Sequence, residues 1–369
     1  MSFSQELIDK YAPEAECIQA MKIWKLPDGK EDMFPTVCTN GDYFAELKKD
    51  GYWYEFEKTD NHMYLFSRNI SKNTGILTEK LANVPHIEEA LAVLPAGTIL
   101  IGEIYYPGKT SKDVTRIMGC LAEEAISRQK DNPVHFYLHD VIKYNGEDLQ
   151  SYGALTRYKV LCKIWEKFNL SQYPFMELAQ AVYEDIYDYT AQALKDGEEG
   201  VVLKLKTAQY APDKRPAWSS IKIKKIDYLD AILIGFDDAT KEYEGKEIKT
   251  WPYWEKVLDD GNIIHSNICQ YGIIGWQPVT KGYFYGWKTA IHIGAYDENG
   301  NIVEIGTVSS GLTDELREGF AKHPENYLNK VVSLQCMEKS VKDHTLRHAF
   351  FKGFRDDKNP SDCLLNTIF

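Results

Sequence analysis

A lysine acts as a covalent nucleophile only with its amine neutral, so neighbours and partial burial must lower its pKa. Lys48 is the candidate. It lies in Glu46-Leu47-Lys48-Lys49-Asp50-Gly51, with the aromatic-rich runs Tyr43-Phe44 and Tyr52-Trp53-Tyr54 on either side, and Asp50-Gly51 predicts a hairpin there. The bland reading of the same residues is an exposed hairpin tip. Three further stretches carry chemistry. Glu103 is the one carboxylate in an apolar strand from Thr98 to Tyr106, so it faces either water or a site; Gly102 beside it suggests a close backbone approach. Glu199 opens a strand that continues to Lys206. Lys222 and Lys224 alternate with isoleucines, which points both to one face of a strand. The competing reading of that strand is a sheet edge with its lysines in water.

These side chains need a scaffold. From 42 to 68 three strand-like runs joined at Asp50-Gly51 and Asp60-Asn61 predict an antiparallel meander. Leu77, Leu81, Val84, Ile87, Leu91 and Leu94 predict a helix over 77–94, and further helices are expected over 111–129, 154–168 and 174–195. Val134 to Ile142 reads as a strand. After Asp227 the pattern changes to short strands, Leu229 to Phe236, Trp287 to Tyr296, Ile302 to Val308 and Val331 to Met337, which suggests a small β-barrel and a domain boundary near 226. Residues 237–286, long, polar and aromatic, read as an insertion whose side chains either pack locally or embrace a partner.

With 369 residues, two domains are the prior. A net charge of -12 argues against a chain coated in basic charge, yet a local basic groove is enough for phosphate contact. Seven scattered cysteines include no C-x-x-C, so neither a zinc site nor a disulfide framework is expected. No signal-peptide core or membrane-length apolar run is present, and the expectation is a soluble, cytoplasmic protein.

Seven stretches in order complete the pattern. They are Glu46 to Gly51, Ser67-Arg68-Asn69, Gly102-Glu103, and His139 to Gly146, then Glu199-Gly200-Val201-Val202-Leu203-Lys204, Trp218 with Lys222-Ile223-Lys224, and Leu346-Arg347 on to Arg355-Asp356-Asp357-Lys358. Together they resemble the covalent nucleotidyltransferases and, among them, the compact ATP-dependent DNA ligases of viral or bacterial type. The resemblance implies an α+β chain: an ATP-grasp-like nucleotidyltransferase domain with antiparallel sheets and flanking helices over 1–226, then an OB-fold β-barrel domain over 227–369 with an insertion at about 237–286. It implies that Lys48 attacks the α-phosphorus of ATP, that AMP passes to the 5′-phosphate of a nick in double-stranded DNA, and that the 3′-hydroxyl then seals the strand. Glu46 would meet the adenine edge, Leu47 is a further nucleotide-binding residue, Arg68 and Glu103 would hold the ribose and phosphates, and His139 would stack on the base. Glu199 and Glu103 would hold Mg²⁺, with Mn²⁺ as the alternative. Lys222 and Lys224 would surround the α-phosphate and lower the pKa of Lys48, with Arg215 nearby. Arg347, Arg355 and Lys358 would reach the β- and γ-phosphates in the first step only, after which the second domain would swing about a hinge near 225–227. The expected enzyme is a monomer with no membrane partner.

The chain departs from the family pattern at Trp53, where an arginine is usual, at His139, where a phenylalanine is usual, and at Gly353, where a basic residue is common. Rival readings are an RNA or RNA/DNA hybrid ligase, an mRNA-capping guanylyltransferase, and a nucleic-acid-binding OB protein with a degenerate transferase domain.

Overall fold

The computed structural model describes residues 3–26, 33–224, 227–336, 338–340 and 344–369, without the side chains of residues 338 and 347. The chain divides into two units, Met1–Lys224 and Lys225–Phe369.

The strands of the first unit are β1 (Trp24–Lys25), β2 (Tyr43–Leu47), β3 (Gly51–Lys58), β4 (Met63–Ile70), β5 (Leu77–Glu79), β6 (Thr98–Tyr105), β7 (His135–Tyr144), β8 (Glu147–Asp148), β9 (Met176–Leu178), β10 (Gly200–Leu205) and β11 (Ser220–Lys224). They form two sheets. The smaller has the order β1-β11-β10-β2, and the larger runs β5-β4-β3-β6-β7-β8 with β9 beside β7. The pairs β1–β11 and β7–β9 are parallel, so both sheets are mixed, not wholly antiparallel as expected.

Alternation along the strands separates core from site. In the small sheet Ala45, Leu47, Val201, Leu203, Ile221 and Ile223 turn to an apolar core shared with helices Met33–Thr39 and Ile186–Lys195. Their neighbours Glu46, Val202, Lys204, Lys222 and Lys224 therefore share the opposite face. In the large sheet Phe56, Leu65, Leu100, Ile104, Phe136 and Leu138 face a core covered by helices Pro85–Leu91, Ser111–Met118 and Ala154–Lys167. Each such fully buried side chain contributes about 1.5–3 kcal/mol. The other face of that sheet carries Trp53, Ile99 and Ile101, packed with Ile18, Met21 and Tyr210. Buried Glu55 and Glu57 tie the covering segment down, accepting from the backbone N–H groups of Ile18 at 3.1 Å and Glu16 at 2.7 Å.

Several expectations change here. β2 and β3 do not pair: β2 joins β10 in the small sheet, and β3 pairs β4 and β6 in the large one. Asp50-Gly51 carries the chain from one sheet to the other and does not form a hairpin, so only the second half of the 42–68 meander exists. The 77–94 stretch is β5, a short 3-10 turn at Leu81–Asn83 and helix Pro85–Leu91, because Pro85 suits the first turn of a helix and not its interior. The 111–129 helix is two, Ser111–Met118 and Ala122–Arg128, parted at Gly119-Cys120. The 174–195 stretch begins as β9 and becomes helical only over Ile186–Lys195.

In the second unit, β12 (Asp227–Asp238), β16 (Lys288–Tyr296), β17 (Ile302–Val308), β18 (Val331–Cys336) and β21 (Phe350–Phe354) form one sheet in the order β17-β16-β12-β18-β21. β13 (Trp254–Val257), β14 (Ile263–Ser266) and β15 (Trp276–Pro278) form a second sheet, and β19 (Glu338–Ser340) pairs β20 (Thr345–Arg347). The sheets are open, and no closed barrel is formed among the described residues, which overturns the OB-fold expectation. The end strands β17 and β21 share no ladder; past the end of β17 a lone bridge joins Ser310 to Phe350. Short alternating strands reveal a sheet, but closure depends on pairing between its ends, which periodicity does not report. The stretch 237–286 holds β13–β15 and an aromatic stack: Tyr243 lies flat on Trp251 at 3.7 Å, and Tyr253 meets both Trp251 and Phe284. Of the expected hinge, residues 225–226 lie outside the described residues.

Candidate active site

Register brings the polar face of the small sheet together. Lys222 lies opposite Val202, and Val202 opposite Glu46; Lys224 lies opposite Gly200. One residue past β2, the Lys48 N–H donates to Gly200 O at 2.9 Å, so Lys48, Gly200 and Lys224 form the next row. Gly200 is required there: its φ is +145°, and a Cβ would stand 2.0 Å from Ile223 O. On the other side of Lys48, the Asp50 carboxylate accepts from the Ser111 N–H at 3.0 Å, which ties the crossing to the start of a helix.

Lys48 Nζ donates to Glu199 Oε2 at 2.7 Å and to Lys49 O at 3.3 Å. Lys224 Nζ takes the other oxygen of Glu199, so one carboxylate bridges two lysines, and all three side chains are 17–19% exposed. Burial pulls the Lys48 amine down, but Glu103, Glu199 and Asp50 outweigh it and the net direction is up. The expectation of a lowered Lys48 is thus overturned in this state, because carboxylates from β6 and the start of β10 dominate the field. Glu103, half-buried on β6, is raised to about 7 by burial, with Glu199 and Asp50 adding to the effect. Lys222 is lowered by burial and by Lys224, Lys48 and Arg215. Among the described residues Lys222 Nζ has no hydrogen-bond or ion-pair partner, so its protons are available to an anion.

A second cluster lies one and two rows along the same face. Lys204 Nζ pairs with Glu46 Oε2 at 2.6 Å and donates to His139 O at 2.7 Å. Glu46 is buried, and its Oε1 and His139 Nδ1 are both buried without a partner. Burial raises Glu46 against the pull of Lys204. Burial, then Lys204, pushes His139 down to about 3, so the imidazole is neutral. His139 is the extra residue of a β-bulge, since Ile101 pairs Asp140 while Gly102 pairs Leu138. The next residue, buried Asp140, holds buried Arg157 through two 2.9 Å bonds.

The remaining expected residues belong to neither of these two clusters. Leu47 packs into the small-sheet core, Arg68 is exposed one residue beyond the last β4 partner of β3, and Arg215 is exposed on the loop before β11, near enough to act on Lys222. Trp53 packs against the Ile18 cluster, opposite Glu103. In the second unit, Arg355 and Lys358 meet on Asp230 at 3.2 and 2.5 Å. The Arg347 side chain lies outside the described residues.

Lys204 and Asp230 were not among the expected site residues. Alternation with Val202 could have found Lys204; Asp230, an aspartate in an alternating strand, gave no signal. No group of three or more His, Cys, Asp or Glu suited to a metal occurs among the described residues. Glu103 and Glu199 nonetheless crowd one another electrostatically. Two such carboxylates, completed by oxygens of a bound ligand, fit a hard divalent cation such as Mg²⁺, which rarely has an all-protein cage.

No helix among the described residues is long and apolar enough to cross a membrane. The model of the ATP dependent DNA ligase domain matches residues 30–224. A probable DNA ligase of Beutenbergia cavernae is 23% identical over 349 residues, covering 86% of this chain and 56% of that protein. DNA ligase 2 of Methanosarcina mazei is 25% identical over 332 residues, covering 86% and 52%. The chain thus spans about half the length of the curated relatives it matches. A solved structure named "Pmar-Lig_Pre." shares the fold at a TM-score of 0.63 with 17% identity, over 95% of this chain and 71% of that one. One described as "DNA binding with a minimal scaffold: Structure-function analysis of Lig E DNA ligases" does so at 0.57 with 16% identity, over 92% and 100%.

Proposed function

The chain belongs to the ATP-dependent DNA ligase domain family, and from that premise we propose that it seals 5′-phosphate/3′-hydroxyl nicks in duplex DNA through a lysyl-AMP intermediate. The observation that carries the reading is the convergence of Lys48, Glu199 and Lys224, with Lys222, unpartnered among the described residues, on the same face. The substrate follows the names of the relatives, which are DNA ligases. We read residues 1–226 as the adenylation domain and 227–369 as a second domain that assists it.

In the first step Lys48 Nζ attacks the α-phosphorus of ATP. The ammonium first gives one proton to water, the neutral nitrogen forms the N–P bond as the bond to the bridging oxygen breaks and pyrophosphate leaves, and a second proton passes from that nitrogen to water. Lys222 donates to the α-phosphate oxygens as negative charge builds there; Lys224 exchanges Glu199 for the same phosphate, and Arg215 adds positive charge. Glu46 Oε1 accepts from the adenine amino group and neutral His139 stacks on the base, while Leu47, its side chain turned into the small-sheet core, meets the nucleotide through its backbone alone. Arg68 and Glu103 hold the ribose and phosphates, while Arg347, Arg355 and Lys358 take the β- and γ-phosphates. Glu199 and Glu103 would hold Mg²⁺, or Mn²⁺, which when bound offsets the negative field that keeps Lys48 protonated. AMP then moves to the 5′-phosphate of the nick, and attack by the 3′-hydroxyl releases it. Seven free thiols suit a reducing compartment, and we place a monomeric enzyme in the cytoplasm.

Incubation with α-labelled ATP or GTP tests the reading. Label is expected on the protein from ATP alone and is lost in Lys48→Ala. Nick sealing is then compared on DNA, RNA and hybrid duplexes. An adduct formed only from GTP, or sealing confined to RNA, would replace the reading with a capping enzyme or an RNA ligase.

A further inference from the structure

Asp230 lies on β12 opposite Ser333 of β18, and its side chain is 14% exposed, against 35% for Arg355 and 39% for Lys358. Its Oδ2 accepts from Arg355 Nη1 at 3.2 Å and from Lys358 Nζ at 2.5 Å. The other edge of the Arg355 guanidinium is held by exposed Asp357, through Nε at 2.8 Å and Nη2 at 2.7 Å. Two cations and two carboxylates thus cancel, and the cluster presents no net positive charge to a phosphate. The two acids hold it differently. Asp357 grips one fork of Arg355 alone, whereas Asp230 is the carboxylate that both cations share. A phosphate that displaced Asp230 would gain Lys358 and Nη1 of Arg355 while leaving the Asp357 fork intact.

We propose that Asp230 is an internal stand-in for phosphate, which takes back Arg355 and Lys358 as pyrophosphate leaves and so weakens the hold on that product. This rests on the reading above, in which these two cations meet the outer phosphates of ATP. Asp230 is then a positioning residue, acting through Arg355 and Lys358 and touching no reacting atom. A fixed negative charge beside phosphate-binding cations competes with the ligand, so its removal tightens binding.

The test is pyrophosphorolysis by the full chain carrying AMP on Lys48. A pyrophosphate oxygen attacks the phosphorus, the N–P bond breaks, a P–O–P bond forms, and the lysine amine regains its proton as ATP is released. In Asp230→Asn the half-saturating pyrophosphate concentration is expected to fall about five- to tenfold, with the maximal rate within about twofold. Asp230→Ser, which removes the charge through a shorter side chain, gives the same fall, and Asp230→Glu restores the wild-type value. Unchanged or weaker use of pyrophosphate in the neutral variants overturns the proposal, as does a Glu variant that behaves like Asn. Loss of folding in both neutral variants assigns Asp230 to the fold alone and overturns it equally. A wild-type chain that never takes up AMP from ATP refutes the ligase reading itself, and this inference with it.

Discussion

Replacing Glu103 by Gln should make the protein more stable and less active, with a pH dependence that identifies the cause. Burial, with help from Glu199 and Asp50, raises this carboxyl from 4.5 to about 7 in the folded chain. The folded state therefore binds the proton more readily than the unfolded state. Stability falls as pH rises from 4.5 through 7, and above that range the ionised carboxylate costs about 3 kcal/mol, at about 1.4 kcal/mol per pH unit. Gln is neutral throughout. The variant should match the parent near pH 4.5 and exceed it by up to about 3 kcal/mol at pH 8, which for a unit of this size raises Tm by about 6–12 °C. Its lysyl-AMP formation should fall by about two orders of magnitude, the exchange expected when a strained charge serves a site. Thermal unfolding of both proteins at pH 5 and pH 8, beside a labelled-ATP assay, measures all three effects. An equal or lower Tm for the variant at pH 8, or the same gain at both pH values, would refute the electrostatic account of Glu103.

Three further outcomes follow from the same geometry. Lys222→Ala should slow lysyl-AMP formation about a hundredfold in rapid-quench experiments while Tm stays within about 2 °C, because among the described residues Lys222 leaves no partner behind. His139→Phe should raise Tm slightly, by the removal of a buried unpartnered nitrogen worth about 1 kcal/mol, and leave the KM for ATP within about twofold, because phenylalanine keeps the stacking face. A fivefold rise in KM would show that Nδ1 itself contacts the nucleotide and would refute a stacking role alone. Arg157→Met should lose about 3–5 kcal/mol in urea unfolding, since it strands buried Asp140 and two carbonyls, those of Tyr152 and Ala208. A loss under about 1 kcal/mol would mean that the core repacks around the charge.

What could be read in advance was mostly local. Alternation in Ser220–Lys224 told that Lys222 and Lys224 share a face, and the strand proved to be internal, between β1 and β10. Asp50-Gly51 announced a sharp change of direction but not its purpose, because a turn signal does not say whether the flanking strands pair with each other or with distant ones. The apolar spacing over 77–94 reads as one helix, but Pro85 within it suits only a first turn, so the chain starts a new helix there. The direction of the Lys48 shift needed three dimensions: Glu103 and Glu199 lie 55 and 151 residues away in sequence, and their sum with burial sets the sign. The barrel expectation failed for a related reason, since closure is decided between strands far apart in the chain. Asp230 shows the limit most plainly; only its neighbours in space distinguish it from any other strand aspartate.

The crossing beside Lys48 also ties the proposed reactivity to the completion of folding. One end of that short bridge is secured by Gly200, which enters with β10, and the other by the helix that Asp50 meets. The first support needs the small sheet and the second needs the helix packed on the large one, so a chain that has completed only one sheet holds Lys48 at one end alone; under the proposed function such a half-folded molecule has the lysine but not yet a placed nucleophile. Self-labelling with AMP would then report maturation, and unfinished copies would leave the cell's ATP untouched.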